Sequence, residues 1–446
     1  MHRSLSESTS SPFRLTTSSM SRRRPNLLVL TPIYPWAGYP PEGIFVHRQI
    51  RNLVRLGHRC RVIVVRPAVP GLPPSLAGLS WLRYHPRWMT WPSALDGVPV
   101  DVLFYPQRRR RRGDVVPSIA STVIDYIERH PEHQDTEVIY AHWLWTGGAA
   151  ALGLRERFGW PVAAIARGSE MNVWQSIHPF CRSYVQRVLL EVDLPMANCR
   201  FLAAAGAELA PAEAHRIRVA YNGCDATQFF PAPSRERARA AVSFAPDRSY
   251  FVCCATVLER KGMAELAAAW RLFASRRPDW RLVVVGPIVS KRLARQLRAA
   301  GPDSVTLAGP ARPERVLAYL QAADGYVQPS LTEGIANATM EAMAVGVPVV
   351  SADAGGQREL VRDGENGWLV PIHDVRALAD AMGSLADDRV RARALGACGR
   401  ETVLTQFDPL VHAERLSDLL TDLHLGRSAQ PDISSASFPG EARREA

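Results

Sequence analysis

The sequence has no apolar run long enough to cross a bilayer, which takes roughly 18 residues or more. Its longest apolar stretches, such as 251–258, are strand-sized. The N-terminus lacks the apolar core of a secretory signal. Seven cysteines are an odd number, none forms a C-x-x-C pair, and Cys253-Cys254 sits inside an apolar run. That usage points to reduced, buried thiols in a cytoplasmic protein rather than a disulfide framework or a zinc site. No G-x-G-x-x-G follows a first strand and no G-x-x-x-x-G-K-[ST] occurs, so neither a hydride-transfer dinucleotide site nor a P-loop is supported.

What is present suits a soluble α/β protein. At 446 residues with 47% hydrophobic and 22% charged, the chain is too long for one ordinary core, so two domains are expected. The net charge of +11 is concentrated in two places. Residues 1–24 hold five arginines and one glutamate, and Arg108 to Arg112 are consecutive arginines; the remainder is nearly neutral. A nucleic-acid binder more often spreads its cations over a face with interleaved aromatics. Two local patches suit an anionic membrane surface, or they are merely solvated loops. The Ser- and Arg-rich leader 1–24 is expected to be disordered. Met20 directly precedes SRRRPNLLVL, so the start lies at Met1 or Met20.

Short apolar runs alternate with helical stretches throughout. Strands are expected at 27–31, 61–65, 100–105, 138–141, 162–166, 194–197 and 217–220, then at 250–256, 281–285, 305–307, 325–328 and 347–351. Helices between them include 44–56, 147–158, 181–191, 263–276, 314–322, 337–344 and 375–385. Near-continuous apolar strands separated by helices mean parallel sheets covered on both faces. Two such series mean two doubly wound domains. The break falls near Asn222-Gly223, a turn pair followed by Pro231 and Pro233.

Residues 328–356, QPSLTEGIANATMEAMAVGVPVVSADAGG, carry the most chemistry. Glu333 and Glu341 stand eight apart, with Gly334 and Asn337 between them. A small-residue helix follows, then a turn feeding a buried strand. A helix start offers free N–H groups to a phosphate, and carboxylates accept hydrogen bonds from sugar hydroxyls. Phosphate and hydroxyls on one ligand describe a nucleotide sugar, although acids at a helix start can also serve the helix alone.

This segment resembles the signature of family 4 glycosyltransferases, retaining enzymes with the GT-B fold. The family pattern is E-G-F-P-N…E-A-M-A-x-G-x-P-V-V; here Ile335 and Ala336 replace Phe-Pro. Agreement continues through Gly355-Gly356, Glu359, Asp363-Gly364 and Asn366-Gly367. The family's N-G-V-D-x-x-x-F-x-P linker appears as NGCDATQFFP.

The resemblance implies two Rossmann-like domains facing a central cleft. A leader (1–24) precedes an acceptor-side domain (25–225) and a nucleotide-sugar domain (226–407). A helix (408–424) crosses back to the first domain, ahead of a disordered tail (425–446). It implies that Glu333 faces the donor sugar, that Glu341 takes the ribose, and that Gly334, Ile335, Ala336 and Asn337 present backbone amides. The loop 310–312 is expected near the base. Lys261 stands where the family binds diphosphate, but the usual Arg of that motif is Thr256, and Arg260 is a doubtful substitute. Gly43 stands in the family's glycine-rich loop beneath the diphosphate, a loop otherwise sparse here.

His142 aligns with a family His near the donor. Arg167, in ARGSE, replaces another family His. It is open to binding a phosphate, a donor acid group or an acceptor phosphate, or to pairing with Glu170. No Asp-x-Asp, the metal-binding pair of the other large sugar-transferase fold, is present, so no metal and no cofactor are expected beyond the nucleotide diphosphate sugar as donor substrate. The implied reaction is retaining transfer of a hexose to a saccharide or lipid-linked saccharide, at the cytoplasmic membrane face and without nucleic acid. The alternatives are another GT-B enzyme, an epimerase or phosphorylase, or a non-catalytic scaffold of that fold.

Overall fold

The computed structural model describes residues 23–37, 41–68, 91–106 and 114–427. The leader up to residue 22, Arg108 to Arg112 and the tail from 428 lie outside them. Fourteen strands form two sheets among the described residues. The first sheet holds β1 (Leu27–Thr31), β2 (Cys60–Ala68), β3 (Ala94–Leu95), β4 (Val98–Pro106), β5 (Val138–His142), β6 (Val162–Ala166), β7 (Leu194–Ala197) and β8 (Arg218–Val219). Their spatial order is β3-β4-β2-β1-β5-β6-β7-β8, parallel except for the β3–β4 hairpin. The second sheet holds β9 (Ser249–Cys254), β10 (Trp280–Val285), β11 (Val305–Gly309), β12 (Gly325–Gln328), β13 (Val349–Ala352) and β14 (Trp368–Val370), in the order β11-β10-β9-β12-β13-β14. Chain direction across each sheet therefore reverses once, between β1 and β5 and between β9 and β12. In such sheets ligands bind at the strand C-terminal ends beside the reversal.

Strands β1, β6 and β13 show why the apolar runs read as they do: every residue in them is buried. Leu28 and Leu30 point into one layer with Ile119, Val123 and Val188, while Leu27 and Val29 point into the opposite layer with Val46, Ile50 and Leu53. Leu416 and Leu420 join that second layer, which docks the helix Pro409–His424 onto the first domain. Asp408 starts this helix by accepting from the N–H groups of Leu410 (2.7 Å) and Val411 (3.2 Å). The two chain crossings run side by side, since Cys224 N–H donates to Phe407 O at 2.9 Å.

Two strands escape the sequence reading. β3 exists because Asp96 and Gly97 take φ values of 48° and 79°, the left-handed pair that closes a two-residue hairpin. β14 is only three residues long. All seven cysteines are free thiols; Cys60, Cys181, Cys199, Cys224 and Cys253 are buried, and Cys398 alone is exposed.

Candidate active site

A cavity of about 290 Å³ lies between the two sheets. It is bordered by Ile33 after β1, Arg167 to Ser169 after β6, Arg260 and Lys261 after β9, and Thr332 to Ala338 after β12. Both chain reversals thus open onto one space.

On the second-domain wall, β12 ends at Gln328 and the chain loops to the helix Asn337–Val345. No side chain caps that helix, and Asn337 and Ala338 border the cavity. Its free N–H groups and positive dipole end therefore face the cavity as an anion site. Glu333 Oε1 accepts from Ser330 Oγ at 2.8 Å and is ion-paired with Lys261 Nζ. Burial pushes the Glu333 carboxyl up, but the Lys261 ammonium and the Ser330 hydroxyl outweigh it and hold the group below the usual carboxylate range. Glu333 is thus an ionised acceptor.

Lys261 reaches this loop because Gly262 follows it with φ +65°; a Cβ there would lie 1.8 Å from Pro329 O. Arg260 also borders the cavity, so a second cation stands on this wall although position 256 is Thr. Gly334, Ile335, Ala336 and Asn337 all border the cavity as well. Residues 310–312 do not. Glu341 sits deeper, in a small adjoining recess with Phe45, Arg48 and Asn222.

On the first-domain wall, Arg167 is 8% exposed. The expected alternative of a side-chain pair with Glu170 does not form: Glu170 Oε1 accepts instead from the Arg167 backbone N–H at 2.8 Å and from Leu144 N–H at 3.4 Å. The guanidinium turns the other way. It donates to Gln49 Oε1 (2.7 Å), Asn222 Oδ1 (2.6 Å) and His142 Nδ1 (2.7 Å from Nη2, 3.1 Å from Nε).

His142 is fully buried and does not border the cavity. Burial and the Arg167 charge lower its pKa, so it is neutral. With Nδ1 accepting, its proton sits on Nε2. The geometry makes His142 a residue that positions Arg167 rather than one that meets a ligand. Gly43 likewise stands behind the wall: its φ is +64°, and a Cβ would press Ile33 O at 2.8 Å. Its freedom lets the helix Ile44–Arg55 begin directly beneath Ile33, which does border the cavity.

Several residues of the site carry no sequence signal of their own. Trp143 borders the cavity with φ 63°, a rare conformation for a bulky side chain, and donates Nε1–H to Ser169 Oγ at 2.9 Å. Asn222, read only as a turn residue, links Arg167 to Asn337 by donating Nδ2–H to Asn337 Oδ1 at 3.2 Å. Asn198 borders the cavity, and its Oδ1 is buried without a hydrogen-bond partner. Arg48 lies in a helix whose periodicity marks only its buried face.

Two family models match this chain. Glycosyltransferase Family 4 covers residues 43–228, and Glycosyl transferases group 1 covers residues 248–388. The chain is 31% identical over 335 residues to the GDP-mannose-dependent alpha-(1-6)-phosphatidylinositol monomannoside mannosyltransferase of Mycolicibacterium smegmatis, spanning 70% of this chain and 82% of that one. It is 30% identical over 278 residues to the D-inositol 3-phosphate glycosyltransferase of Nocardia farcinica, spanning 58% and 61%. Among solved structures, sucrose-phosphate synthase from Thermosynechococcus elongatus superposes with a TM-score of 0.73 at 21% identity, over 90% of this chain and 100% of that one. HepE of Anabaena in complex with UDP and glucose superposes with a TM-score of 0.67 at 19% identity, over 89% and 100%.

Proposed function

The chain belongs to the group 1 glycosyltransferases of family 4 and has their GT-B fold, and from that membership we propose how its cleft divides the work. The enzyme is a nucleotide-sugar-dependent glycosyltransferase. The diphosphate of the donor rests at the start of the helix Asn337–Val345, with Lys261 and Arg260 alongside. Glu333 accepts hydroxyl hydrogen bonds from the donor sugar, and Glu341 accepts those of the ribose. A hexose passes to an acceptor hydroxyl on the face the diphosphate leaves, with retention. Preorganised N–H dipoles and cations stabilise the departing charge. The observation that carries this reading is the meeting of both sheet reversals in one cavity, with the ionised Glu333 and the uncapped helix start on the same wall.

The acceptor we propose is a lipid-linked saccharide at an anionic membrane surface. No described helix is long and apolar enough to cross a membrane. A basic surface is available instead: Lys291, Arg292, Arg295 and Arg298 are all exposed on the helix Lys291–Ala300, and Ile288 and Val289 are exposed just ahead of it. One relative acts on a phosphatidylinositol monomannoside according to its name, which fits an acceptor of this kind, whereas another is named for the water-soluble inositol 3-phosphate. A panel of UDP-, GDP- and ADP-hexoses, beginning with GDP-mannose, tests the donor by protection against thermal unfolding. One base should protect and then support transfer. Donor turnover without acceptor, or with inorganic phosphate in its place, would favour an epimerase or a phosphorylase, and no protection by any of them would favour a scaffold.

A further inference from the structure

Arg167 is a buried guanidinium whose hydrogen-bond partners are all neutral; the buried Glu170 carboxylate attracts it without bonding its side chain. His142, Gln49 and Asn222 accept from it, the Tyr140 hydroxyl lies at 3.5 Å, and among the described residues no carboxylate pairs with its side chain. Buried charges are ordinarily paired or coordinated, because leaving water is costly for an isolated ion. The Phe45 ring, 5.5 Å from the guanidinium carbon, softens that cost without supplying a charge. Yet Arg167 borders the cavity, so its counter-ion can arrive with a ligand.

The charges around the cavity indicate which ligand group that is. Lys261 and Glu333 neutralise one another. Two cations remain: Arg260 on the second-domain wall and Arg167 on the first. The diphosphate of a nucleotide sugar carries two negative charges. Arg167 is also tied to the place where that diphosphate would rest, because Asn222 accepts from Arg167 and donates to Asn337, the first residue of the uncapped helix.

We infer that Arg167 is, after Arg260, the second cation left uncompensated for the diphosphate once Lys261 is paired with Glu333, supplied from the opposite domain, so that the leaving group's charge is balanced only across a closed cleft. The inference rests on the nucleotide-sugar reading of the cavity. It gives the cation absent at Thr256 a replacement on the facing wall. It also gives the buried His142 and Gln49 a purpose: they hold the guanidinium in place before the ligand arrives, so little reorganisation is needed at the moment of bond breaking.

Calorimetry on the full chain with UDP, GDP and ADP, and with the matching monophosphates, tests this. For whichever base binds, Arg167→Gln should weaken the diphosphate at least ~10-fold while changing the monophosphate far less. Arg167→Lys should recover part of the loss, and so should the pair Arg167→Gln with Thr256→Arg, which returns a cation from the other wall. A merely structural arginine would weaken both nucleotides alike and would not be rescued from position 256. Should Arg167→Gln fail to fold, Thr256→Arg alone still decides. It should add little if Arg167 already fills the second place, and a gain of ~10-fold or more in diphosphate affinity would overturn the inference. Wild-type binding that Arg167→Gln leaves unchanged would overturn the inference alone. Absence of any nucleoside diphosphate binding by the wild type would remove the reading of the site, and the inference with it.

Discussion

Arg48 Nη1 donates to Glu341 Oε1 at 2.9 Å, joining the two domains across the cleft. The acid that the family resemblance assigns to the ribose is therefore held by an arginine of the facing domain before any nucleotide arrives. Burial raises the Glu341 carboxyl, and the Arg48 charge opposes that rise. An entering ribose has to share this carboxylate with Arg48 or displace it.

Arg48→Met removes the opposing charge and lets burial lift Glu341 further. A protonated Glu341 accepts fewer hydroxyl hydrogen bonds. Nucleoside diphosphate affinity in the variant should then fall as pH is lowered, starting at a higher pH than in the wild type. Calorimetry with the diphosphate and its 2′-deoxy form separates the ribose contribution. An equal pH response in wild type and variant would detach Glu341 from the ribose.

Glu333→Ala should lower transfer at saturating donor by at least ~100-fold, equivalent to ~3 kcal/mol of transition-state contact. The fold should survive, because the lost carboxylate leaves Lys261 beside an open cavity where water can reach it. Circular dichroism and steady-state kinetics check the two halves of this statement. Unchanged kinetics in a folded variant would remove Glu333 from the donor site.

Lys261→Ala should weaken binding of the nucleoside diphosphate far more than that of the nucleoside, since an ammonium at a helix start serves phosphate rather than base. With cations and a helix dipole in that role, activity should persist in excess EDTA. Loss of activity in EDTA with recovery on adding manganese would contradict this division of labour. No cluster of three or more metal-ligating side chains occurs among the described residues.

Most of the fold was legible because each buried strand is a continuous apolar run: β1, β6, β7 and β12 fall at their expected residues. The hairpin at Asp96-Gly97 was missed although its turn pair is a standard signal, because the run that follows it reads as a strand without any partner. The second-domain wall was legible because Glu333 and the helix start are local in sequence, and Lys261, 72 residues earlier, stands in a short motif of its own. The first-domain wall was not. The Arg167–His142–Gln49–Asn222 network joins residues from four separate elements, and spacing carries no trace of it. His142 shows the limit of placement by strand end. The residue after β5, Trp143, does border the cleft, yet His142 itself is fully buried and does not.

Acid should loosen the crossing helix Pro409–His424. His58 sits beneath it, donating Nδ1–H to Pro25 O at 3.0 Å and accepting from Ser417 Oγ at 2.7 Å, while His412 Nε2 meets Gln406 O at 2.9 Å. Burial, against the pull of these backbone carbonyls, lowers both imidazoles to about 4. In the unfolded chain each titrates near ~6.5. A depressed value means stability that is present above pH ~6.5 and is lost as pH falls toward 4, by up to ~3 kcal/mol for each histidine. Thermal midpoints measured from pH 7.5 to 4.5 should fall, and His58→Gln should flatten the fall. A midpoint that stays level through this window in the wild type would show that neither histidine is linked to folding.

Membrane docking should follow charge. Arg108 to Arg112 lie beyond β4 of the first domain, outside the described residues, and Lys291, Arg292, Arg295 and Arg298 form an exposed basic face on the second. Each basic residue near an anionic surface contributes up to ~1 kcal/mol, so the five arginines alone could sustain reversible binding without a hydrophobic anchor. Salt screens such attraction over roughly 10 Å at 0.1 M, so binding should weaken as ionic strength rises. In sedimentation with vesicles containing phosphatidylglycerol, the protein should pellet at low salt and be released at high salt. Replacing Arg108 to Arg112 by Ser should shift the release to lower salt, and neutral vesicles should leave the protein in solution. With this replacement, transfer to a water-soluble acceptor analogue should be unchanged, while transfer to an acceptor embedded in anionic vesicles should fall. A protein that remains in solution with anionic vesicles at low salt would make a soluble acceptor the better reading.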